Sequence, residues 1–431
     1  MPWDPFRTDT SAEEIFAATQ FVREQALGLR LSPLQIIEIF ERWSQALSGP
    51  TLDAIAGVPF LRLWLRRGTL EPIVARELGT EGLHGSWHSD RGARLRAFPL
   101  GVVGHWPAGN IEIQPMLSLS CALLGGNAAF VRIPSGLVDQ TRAMIEKLRE
   151  ADSAGALTMR IALAAFDHRR TDLQQAMAAA VDGAMIWGGG DAVAEVRSLP
   201  FPHWARIAVF GPRLSVAAMD GESWSDPQFR DAWCQRIARD VWQFDQQACS
   251  SPQTLFLEHS ADGDVHEFVA ALEGAFRREN RMHPRQSIHP ATTSAVCRSR
   301  ASWLLGDEGH TAIFPTSPDW TILLGHGSVI PAPTQARTLS VLVVPSLLEP
   351  IGKFDGTVQT LGLAVRDPAR ESELAVAAGR HGVDRIVKLG RMHVFGSPWD
   401  GTELIRPMVR LVRHIPSADG PSRQQQEAAD S

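Results

Sequence analysis

The chain has 431 residues, of which 44% are hydrophobic and 21% charged, a composition that is ordinary for a soluble globular protein with two or three domains. Its formal net charge of −6 argues against nucleic-acid binding, which normally needs a basic face, and leaves chemistry on small molecules open. The absence of tyrosine excludes any mechanism that uses a phenol as an acid or a base.

The N-terminus and the cysteines are typical of a cytoplasmic protein. The first residues, MPWDPFRTDTSAEE, lack the basic segment and apolar core of a signal peptide. The longest apolar stretch, residues 115–131, is interrupted by Ser, Gly and Asn, so we expect a buried helix and strand and not a membrane span. No CxxC pair occurs, so we expect neither a disulfide framework nor a structural metal site. The four cysteines are Cys121, Cys234, Cys249 and Cys297.

Residues 1–90 are predicted to form an N-terminal helical region. Ser11 is followed three residues later by Glu14, which is the pattern of a capping box at a helix start. The segment SPLQIIEIFERWSQAL begins in the same way at Ser32 and has apolar residues at helical spacing.

Two α/β regions are predicted to follow. In residues 91–225, strands alternate with helices in units of roughly 30 residues, which predicts a doubly wound parallel sheet in a dinucleotide-binding domain. Residues 226–396 repeat the α/β pattern and form the predicted catalytic domain. An amphipathic C-terminal element at 397–416 and a polar, disordered tail at 417–431 complete the chain.

The densest chemical signal is the segment QFDQQACSSPQTLFLE around Cys249. A polar helix ends there, a turn of small residues follows and a strand begins. Such a turn can place a thiol at the floor of a pocket, near backbone N–H groups that stabilise a thiolate. By this pattern alone, a catalytic thiol and a buried structural cysteine are supported about equally. Asp245 and Gln246 either orient this loop or cap the preceding helix.

A second signal is the segment GHWPAGNIEIQP, in which Asn110 follows a strand and precedes a helix. An amide at this position can donate a hydrogen bond to an oxygen that becomes negative during acyl transfer. Asparagine is also a favoured helix N-cap, so both interpretations stand. His105, in the same segment, is a minor candidate for a proton donor.

A third signal is the segment MIWGGGDAVAEV, in which three glycines separate a short strand from a helix. Glycines at this place let the backbone approach a phosphate, and the helix N-terminus favours negative charge. An ordinary strand-to-helix turn explains the pattern at least as well.

Taken in this order, the three segments resemble the aldehyde dehydrogenase superfamily. The closer likeness is to the acyl-CoA reductases of the bacterial luminescence type. The matching pieces are GHWPAGNIEI, LLGGNAAFVRIPS, FDQQACSSPQ, VQTLGLA, GVDRIVKLGRM and SPWDG, which span about residues 94–415. The resemblance implies an aldehyde dehydrogenase-like α/β fold with two doubly wound parallel-sheet domains and an N-terminal helical region.

The resemblance also implies roles for single residues. Cys249 takes the position of the nucleophile, and Asn110 that of the oxyanion-hole amide, with the Cys249 backbone N–H as its partner. The predicted cofactor-binding residues lie at two places. The turn at the cofactor pyrophosphate corresponds to Gly188, Gly189 and Gly190. The strand end near the adenosine ribose corresponds to Arg132, Pro134 and Ser135.

Three departures from the superfamily pattern refine the prediction. Ala208 or Val209 stands where hydrolytic aldehyde dehydrogenases carry the glutamate that activates water, which favours a reductase because the acyl-enzyme then persists. No carboxylate follows Ser135, and the nearby Arg132 suits a 2′-phosphate, which favours NADPH over NADH. Trp399 replaces the histidine of the family's His-Asp-Gly motif.

The predicted reaction is the reduction of an acyl thioester, carried by CoA or a carrier protein, to an aldehyde by NAD(P)H through an acyl-Cys249 intermediate. The alternatives are an aldehyde dehydrogenase that works in the oxidative direction, an acyl-phosphate reductase and a non-catalytic partner subunit of an acyl-transfer complex. We expect a homo-oligomer, with an acyl-transferring protein as a further partner.

Overall fold

The computed structural model describes residues 10–28, 30–285, 287–307 and 309–416 of the chain. The predicted disordered tail at 417–431 lies outside the described residues. No helix in the described ranges combines the length and the apolar character that a membrane crossing requires.

The N-terminal region is helical, as predicted, and ends in a β-hairpin. Both predicted capping boxes are confirmed: the amides of Glu14 and Gln35 each donate to the hydroxyl oxygen of the serine three residues earlier, at 3.3 Å. The elements are α1 (Ala12–Gly28), α2 (Pro33–Ala46), α3 (Pro50–Asp53), α4 (Val58–Trp64), α5 (Arg67–Leu78), α6 (Thr80–Leu83), β1 (His88–Asp90) and β2 (Ala93–Pro99).

A parallel sheet of five strands follows, with the order β5-β4-β3-β6-β7. The chain runs outward from β3 in one direction and then, from β6, in the other, so a topological switch point lies between β3 and β6. The elements are β3 (Val102–Trp106), α7 (Gln114–Leu124), β4 (Ala128–Ile133), α8 (Val138–Ala151), β5 (Ile161–Ala165), α9 (Thr171–Ala180), β6 (Gly183–Trp187), α10 (Gly190–Arg197) and β7 (Arg206–Phe210).

The two faces of this sheet are covered by different helices because successive side chains on each strand point to opposite faces. Val131 and Ile133 of β4 pack in one apolar cluster with α2, α7 and α8. Phe130, on the other face, packs with α1 and α9. The near-continuous apolar character of the strands follows from this burial on both faces.

The second sheet has seven strands in the order β10-β11-β12-β9-β8-β13-β14, all parallel except β10. Its elements are β8 (Leu214–Met219), α11 (Gly221–Ser225), α12 (Pro227–Trp242), β9 (Pro252–Glu258), α13 (Val265–Met282), α14 (Pro290–Leu304), β10 (Thr311–Ile313), β11 (Thr321–His326), β12 (Thr338–Val344), α15 (Leu348–Ile351), β13 (Val358–Ala364), α16 (Pro368–Arg380) and β14 (Arg385–Lys388).

The boundary between the α/β regions differs from the predicted one at residue 225. Strand β8 pairs with β9 and β13, so it belongs to the second sheet. Only residues 211–213 separate it from β7 of the first sheet. A linker of three residues gives no compositional sign of a domain boundary, so the sequence pattern assigned both strands to one domain.

The C-terminal element returns to the hairpin near the N-terminus. Strand β15 (Val409–His414) pairs antiparallel with β2 and completes a three-stranded sheet. Before it, the chain is held to α5 by the buried carboxylate of Glu77, which accepts hydrogen bonds from the amides of Ile405 and Arg406 at 2.7 and 2.8 Å. The segment between β14 and β15 is therefore fixed against the N-terminal helices.

Candidate active site

A cavity of about 450 Å³ lies between the two α/β sheets. Its walls come from the loops at the carboxyl ends of β3, β6 and β7 and from the loops that precede β9, β12 and β13. Most of its surface is apolar; the larger apolar side chains are Phe60, Leu117, Trp187, Phe210, Phe244 and Phe395. The ionisable side chains among the described lining residues are Arg213, Cys249, His393 and Asp400.

Cys249 lines this cavity and is half-buried. The other three cysteines do not line it: Cys121 and Cys234 are fully buried in helices, and Cys297 is exposed on α14. Among the four thiols, the structure therefore places that of Cys249 at the cavity.

The turn before Cys249 has an unusual backbone. Three successive non-glycine residues, Phe244, Asp245 and Gln246, have φ values of 55°, 53° and 63°. Left-handed backbone costs free energy in residues with a side chain, and it persists only where the surroundings impose it. The turn is thus a strained segment immediately before the thiol.

Side-chain contacts hold this strained turn in place. The fully buried Gln246 donates from Nε2 to the carbonyl oxygens of Pro252 and Thr338, at 2.8 and 2.9 Å, and accepts from the Thr338 amide at 2.7 Å. Asp245 Oδ1 lies 2.8 Å from the Arg285 Nε and 2.7 Å from the Arg337 Nε. These contacts support the interpretation that Asp245 and Gln246 orient the cysteine loop, since neither caps α12.

The charge environment of Cys249 comes from β13, β14 and the C-terminal segment. Burial raises the pKa of the thiol to about 12, and the nearby Asp400 carboxylate acts in the same direction. A hydrogen bond with the Gln359 side chain and the positive charge of Arg385 oppose this rise of the pKa. The thiol is therefore protonated at neutral pH before substrate binds, and it needs a proton acceptor to become a nucleophile.

The groups around the thiol contact one another. Gln359, fully buried on β13, donates a hydrogen bond from Nε2 to Asp400 Oδ1. The Arg385 guanidinium lies 4.1 Å from the centre of the Trp399 ring and donates to Thr360 Oγ1 at 2.9 Å. Burial lowers the pKa of Arg385 to about 10, so it remains a cation at neutral pH.

Asn110 reaches the same cavity from the first sheet. Helix α7 begins at Gln114 and has Ile113 at its N-cap, so the alternative interpretation of Asn110 as the N-cap is wrong. The reason is a further turn of chain, residues 110–113, between the end of β3 and the helix. Asn110 Nδ2 instead donates to the Gln247 carbonyl oxygen at 3.1 Å, two residues before the thiol.

The glycine turn lies on the other side of the switch point. Residues 188–190 connect β6 to α10, and Gly188 and Gly189 line the cavity, whereas Gly190 opens the helix. A Cβ added at Gly189 would meet no atom within 4 Å, so the backbone there faces open space.

The predicted residues at the end of β4 do not line the cavity. Pro134, which precedes Ser135, packs against the loop that follows β3. A Cβ atom added to Gly109 in that loop would lie 3.5 Å from the Pro134 Cβ. Arg132 is half-buried, its guanidinium lies 5.9 Å from the Phe166 ring centre, and its Nε has no hydrogen-bond partner. Burial lowers the pKa of Arg132, and the nearby carboxylates of Asp167 and Glu195, which sequence analysis missed, oppose that fall.

His105 is not in the site. It is fully buried in β3, and its Nδ1 lies 2.7 Å from Ser118 Oγ. Burial lowers the pKa of His105 to about 3, and the residue does not line the cavity. A neutral, enclosed imidazole cannot donate a proton to a substrate, so the minor candidate for the proton donor is wrong.

Sequence analysis also missed the neighbours of the thiol, namely Gln359, Arg385, His393 and Asp400. All four stand in segments that carried the family resemblance: VQTLGLA, GVDRIVKLGRM with the residue after it, and SPWDG. The distance of these segments from Cys249 along the chain does not indicate that they contact it.

A protein family matches most of the chain. A family described as acyl-CoA reductase (LuxC) matches residues 36–414. The chain belongs to this family. Among individual proteins, a long-chain acyl-protein thioester reductase from Vibrio harveyi is 24% identical over 361 residues, which cover 81% of this chain and 71% of the relative.

Solved structures confirm the aldehyde dehydrogenase-like fold predicted for this acyl-CoA reductase family member. An aldehyde dehydrogenase from Brucella melitensis biovar abortus 2308 superposes with a TM-score of 0.68 at 13% identity over 94% of this chain and 89% of that one. An NADP-dependent glyceraldehyde-3-phosphate dehydrogenase from Bacillus halodurans C-125, complexed with NADP, gives 0.67 at 14% identity over 94% and 91%.

Proposed function

We propose that the protein reduces an acyl thioester to an aldehyde through a covalent acyl-Cys249 intermediate. The observation that carries this proposal is a single accessible thiol in a cavity with apolar walls, which suit an aliphatic acyl chain. Residues 210–214, from the end of β7 to the start of β8, line the cavity and contain no carboxylate that could activate water. This loop supports a reductase over an aldehyde dehydrogenase that hydrolyses its acyl-enzyme.

Cys249 and Asn110 have different roles in the proposed reaction. The Cys249 sulfur attacks the thioester carbonyl, the carbon–sulfur bond to the leaving thiol breaks, and a new thioester to the enzyme forms. The carbonyl oxygen becomes negative during attack, and the Asn110 amide with the Cys249 backbone N–H stabilises that charge. In the second half-reaction the bond between Cys249 and the reduced carbon breaks, and the aldehyde is released.

A nicotinamide dinucleotide fits the edge of the five-stranded sheet, although no ligand is part of the structure. Dinucleotides bind at the switch point of such sheets, here between β3 and β6. Residues 188–190 would approach the pyrophosphate, and the open space at Gly189 leaves room for it. Bound in its reduced form, the group would supply the hydride.

We propose NADPH as the preferred form of this cofactor. Arg132 at the end of β4, with Pro134 and Ser135 beside it, has a buried Nε without a partner, which suits the 2′-phosphate of NADPH. Asp167, one of the two carboxylates near Arg132, is paired with Arg169 at 2.9 Å, which weakens its repulsion of a phosphate.

The acyl donor is a thioester of CoA or of a carrier protein. The relative from Vibrio harveyi is named for an acyl-protein thioester, which supports the carrier protein as a candidate for this chain. The expected homo-oligomer and the acyl-transferring partner stay predictions.

Turnover with purified protein tests the proposal. The wild-type protein, given a saturated long-chain acyl-CoA and NADPH, should form the aldehyde and consume NADPH in equal amounts. Cys249→Ala should form none, while Cys297→Ala, which removes the exposed thiol, should retain wild-type turnover. Aldehyde formation by Cys249→Ala, or production of acid from aldehyde and NADP⁺ without thioester reduction, would contradict it.

A further inference from the structure

The proposed reaction moves protons that the residues discussed so far do not handle. Cys249 must lose its thiol proton before it attacks, and the departing thiolate must gain a proton. The cavity offers few groups for this task, because the ionisable side chains among its described lining residues are Arg213, Cys249, His393 and Asp400. A tyrosine is not available, since the chain has none.

His393 cannot serve as the proton carrier. Its Nε2 lies 2.7 Å from the carbonyl oxygen of Asp240, which only accepts hydrogen bonds, so Nε2 carries the hydrogen. Its Nδ1 lies 3.0 Å from Ser250 Oγ and accepts from that hydroxyl. Burial lowers the pKa of His393 to about 4, so the imidazole is neutral and both ring nitrogens are engaged.

Arg213 is excluded for a different reason. Its guanidinium forms an ion pair with Asp384 and offers only hydrogen-bond donors, so it has no atom that can accept a proton. Asp400 is thus the one carboxyl group in the described lining of the cavity.

Asp400 is held next to the thiol by a shared neighbour. The Gln359 side chain lowers the pKa of the Cys249 thiol and also donates from Nε2 to Asp400 Oδ1. Cys249 and Asp400 also line the same cavity, where one water between them would suffice for proton transfer. Asp400 has a left-handed backbone with φ of 48°, and a Cβ added at the next residue, Gly401, would lie 2.7 Å from Asp384 Oδ1. The surrounding structure therefore fixes its position.

We propose that Asp400 is the catalytic residue that carries the proton in the acylation half-reaction, an inference that rests on the proposed function. The carboxylate takes the proton of the Cys249 thiol as the sulfur attacks the thioester carbon. When the bond between that carbon and the leaving sulfur breaks, the Asp400 carboxyl returns the same proton to the departing thiolate. The products are acyl-Cys249 and a free thiol, and Asp400 is a carboxylate again.

The charges that face Asp400 agree with this exchange. Burial raises the pKa of Asp400, while Gln359 and the cations of Arg213 and Arg385 oppose that rise. A carboxyl group with an elevated pKa is a better match for a thiol and a thiolate than one at its ordinary value. The Asp400 carboxylate in turn raises the pKa of Cys249, so the titrations of the two groups are coupled.

The test is single-turnover acylation by intact-protein mass spectrometry, without a nicotinamide cofactor, using acyl thioesters of an alkyl thiol and of an aryl thiol. Aryl thiolates leave without a proton, whereas alkyl thiolates need one. Asp400→Asn should acylate from the alkyl thioester roughly 10²–10³-fold more slowly than wild type, the usual contribution of a general acid or base. From the aryl thioester the loss should be at least about tenfold smaller, because only the general base is then missing and no general acid is needed.

Two controls separate this role from a structural one. The pH at which Cys249 becomes reactive towards iodoacetamide should be lower in Asp400→Asn than in wild type, because removal of the carboxylate lowers the pKa of the thiol. Glu403→Gln removes a half-buried carboxylate from the same segment but outside the cavity, and it should acylate from both thioesters at wild-type rates.

The proposal is overturned if Asp400→Asn acylates from the alkyl thioester at the wild-type rate, or if it loses the same factor with both thioesters. If Asp400→Asn fails to fold, the acylation rates of the wild-type protein from the two thioesters test the proposal. With a proton donor in place, its acylation rates from the two thioesters should agree within about tenfold. A preference for the aryl thioester above about a hundredfold would show that no donor acts. A wild-type protein that forms no adduct would instead contradict the proposed function.

Discussion

The two sides of the cavity are built in different ways. On the side of the thiol, three left-handed residues precede Cys249 and are fixed by the buried Gln246 and by the ion pairs of Asp245. On the side proposed for the cofactor, Gly189 faces open space and Arg132 keeps an unpaired Nε. The side that must hold reacting atoms is rigidly positioned, whereas the other side keeps the room and the free donor that a ligand would use.

The largest effect is expected at Asn110, where the two sides meet. Asn110→Ala should slow acylation by roughly 10²–10³-fold, the usual loss of one oxyanion-hole donor. Single-turnover acylation measures it. Asn127→Ala is the matched control: this buried asparagine binds the backbone at Leu100 and Ala122, so its loss should lower the free energy of unfolding and leave the acylation rate of the folded protein unchanged. If Asn110→Ala loses only stability, Asn110 merely holds the Gln247 carbonyl.

The rigidity of the thiol side can be tested at Gln246. Gln246→Leu removes three buried hydrogen bonds and leaves their backbone partners unsatisfied, so it should lower the free energy of unfolding by about 2–4 kcal/mol. Chemical denaturation measures the change. Gln45→Leu alters an exposed glutamine with one side-chain contact and should cost less than about 0.5 kcal/mol. Equal losses in the two variants would mean that the strained turn is not held by Gln246.

A smaller effect is expected on the cofactor side. Arg132→Ala should reduce the preference for NADPH over NADH about tenfold, which corresponds to ~1.4 kcal/mol. Steady-state kcat/KM with each cofactor gives the ratio, and Arg149→Ala, at an exposed position on α8, should leave it unchanged. An unaltered ratio in Arg132→Ala, or a wild-type protein that prefers NADH, would remove Arg132 from the cofactor site.

The comparison of the two sides also explains what the sequence could predict. The helix starts at Ser11 and Ser32 and the glycine turn after β6 depend on residues that are neighbours in the chain, and local patterns predict them well. Asn110 shows the limit of local patterns, because the loop after β3 contains one more turn than the N-cap interpretation assumed.

Local sequence patterns do not predict which residues surround the Cys249 thiol. Gln359 lies near Cys249 only because β13 is inserted beside β8 in the second sheet. Asp400 lies near both residues because Glu77 holds the segment between β14 and β15 in place. Both facts depend on strand order and tertiary contacts, which spacing in the sequence does not encode. The family resemblance indicated that these segments matter, but not what they contact.

The central claim is that Cys249 carries the acyl group. The most direct measurement is peptide mapping by mass spectrometry after the protein has been incubated with an acyl thioester in the absence of a nicotinamide cofactor. The account predicts one acyl group per chain, on the peptide that contains Cys249. When NADPH is added, this acyl group should be lost from the peptide and an equal amount of aldehyde should form. An acyl group on Cys121, Cys234 or Cys297, or an adduct on Cys249 that NADPH does not convert to aldehyde, would contradict it.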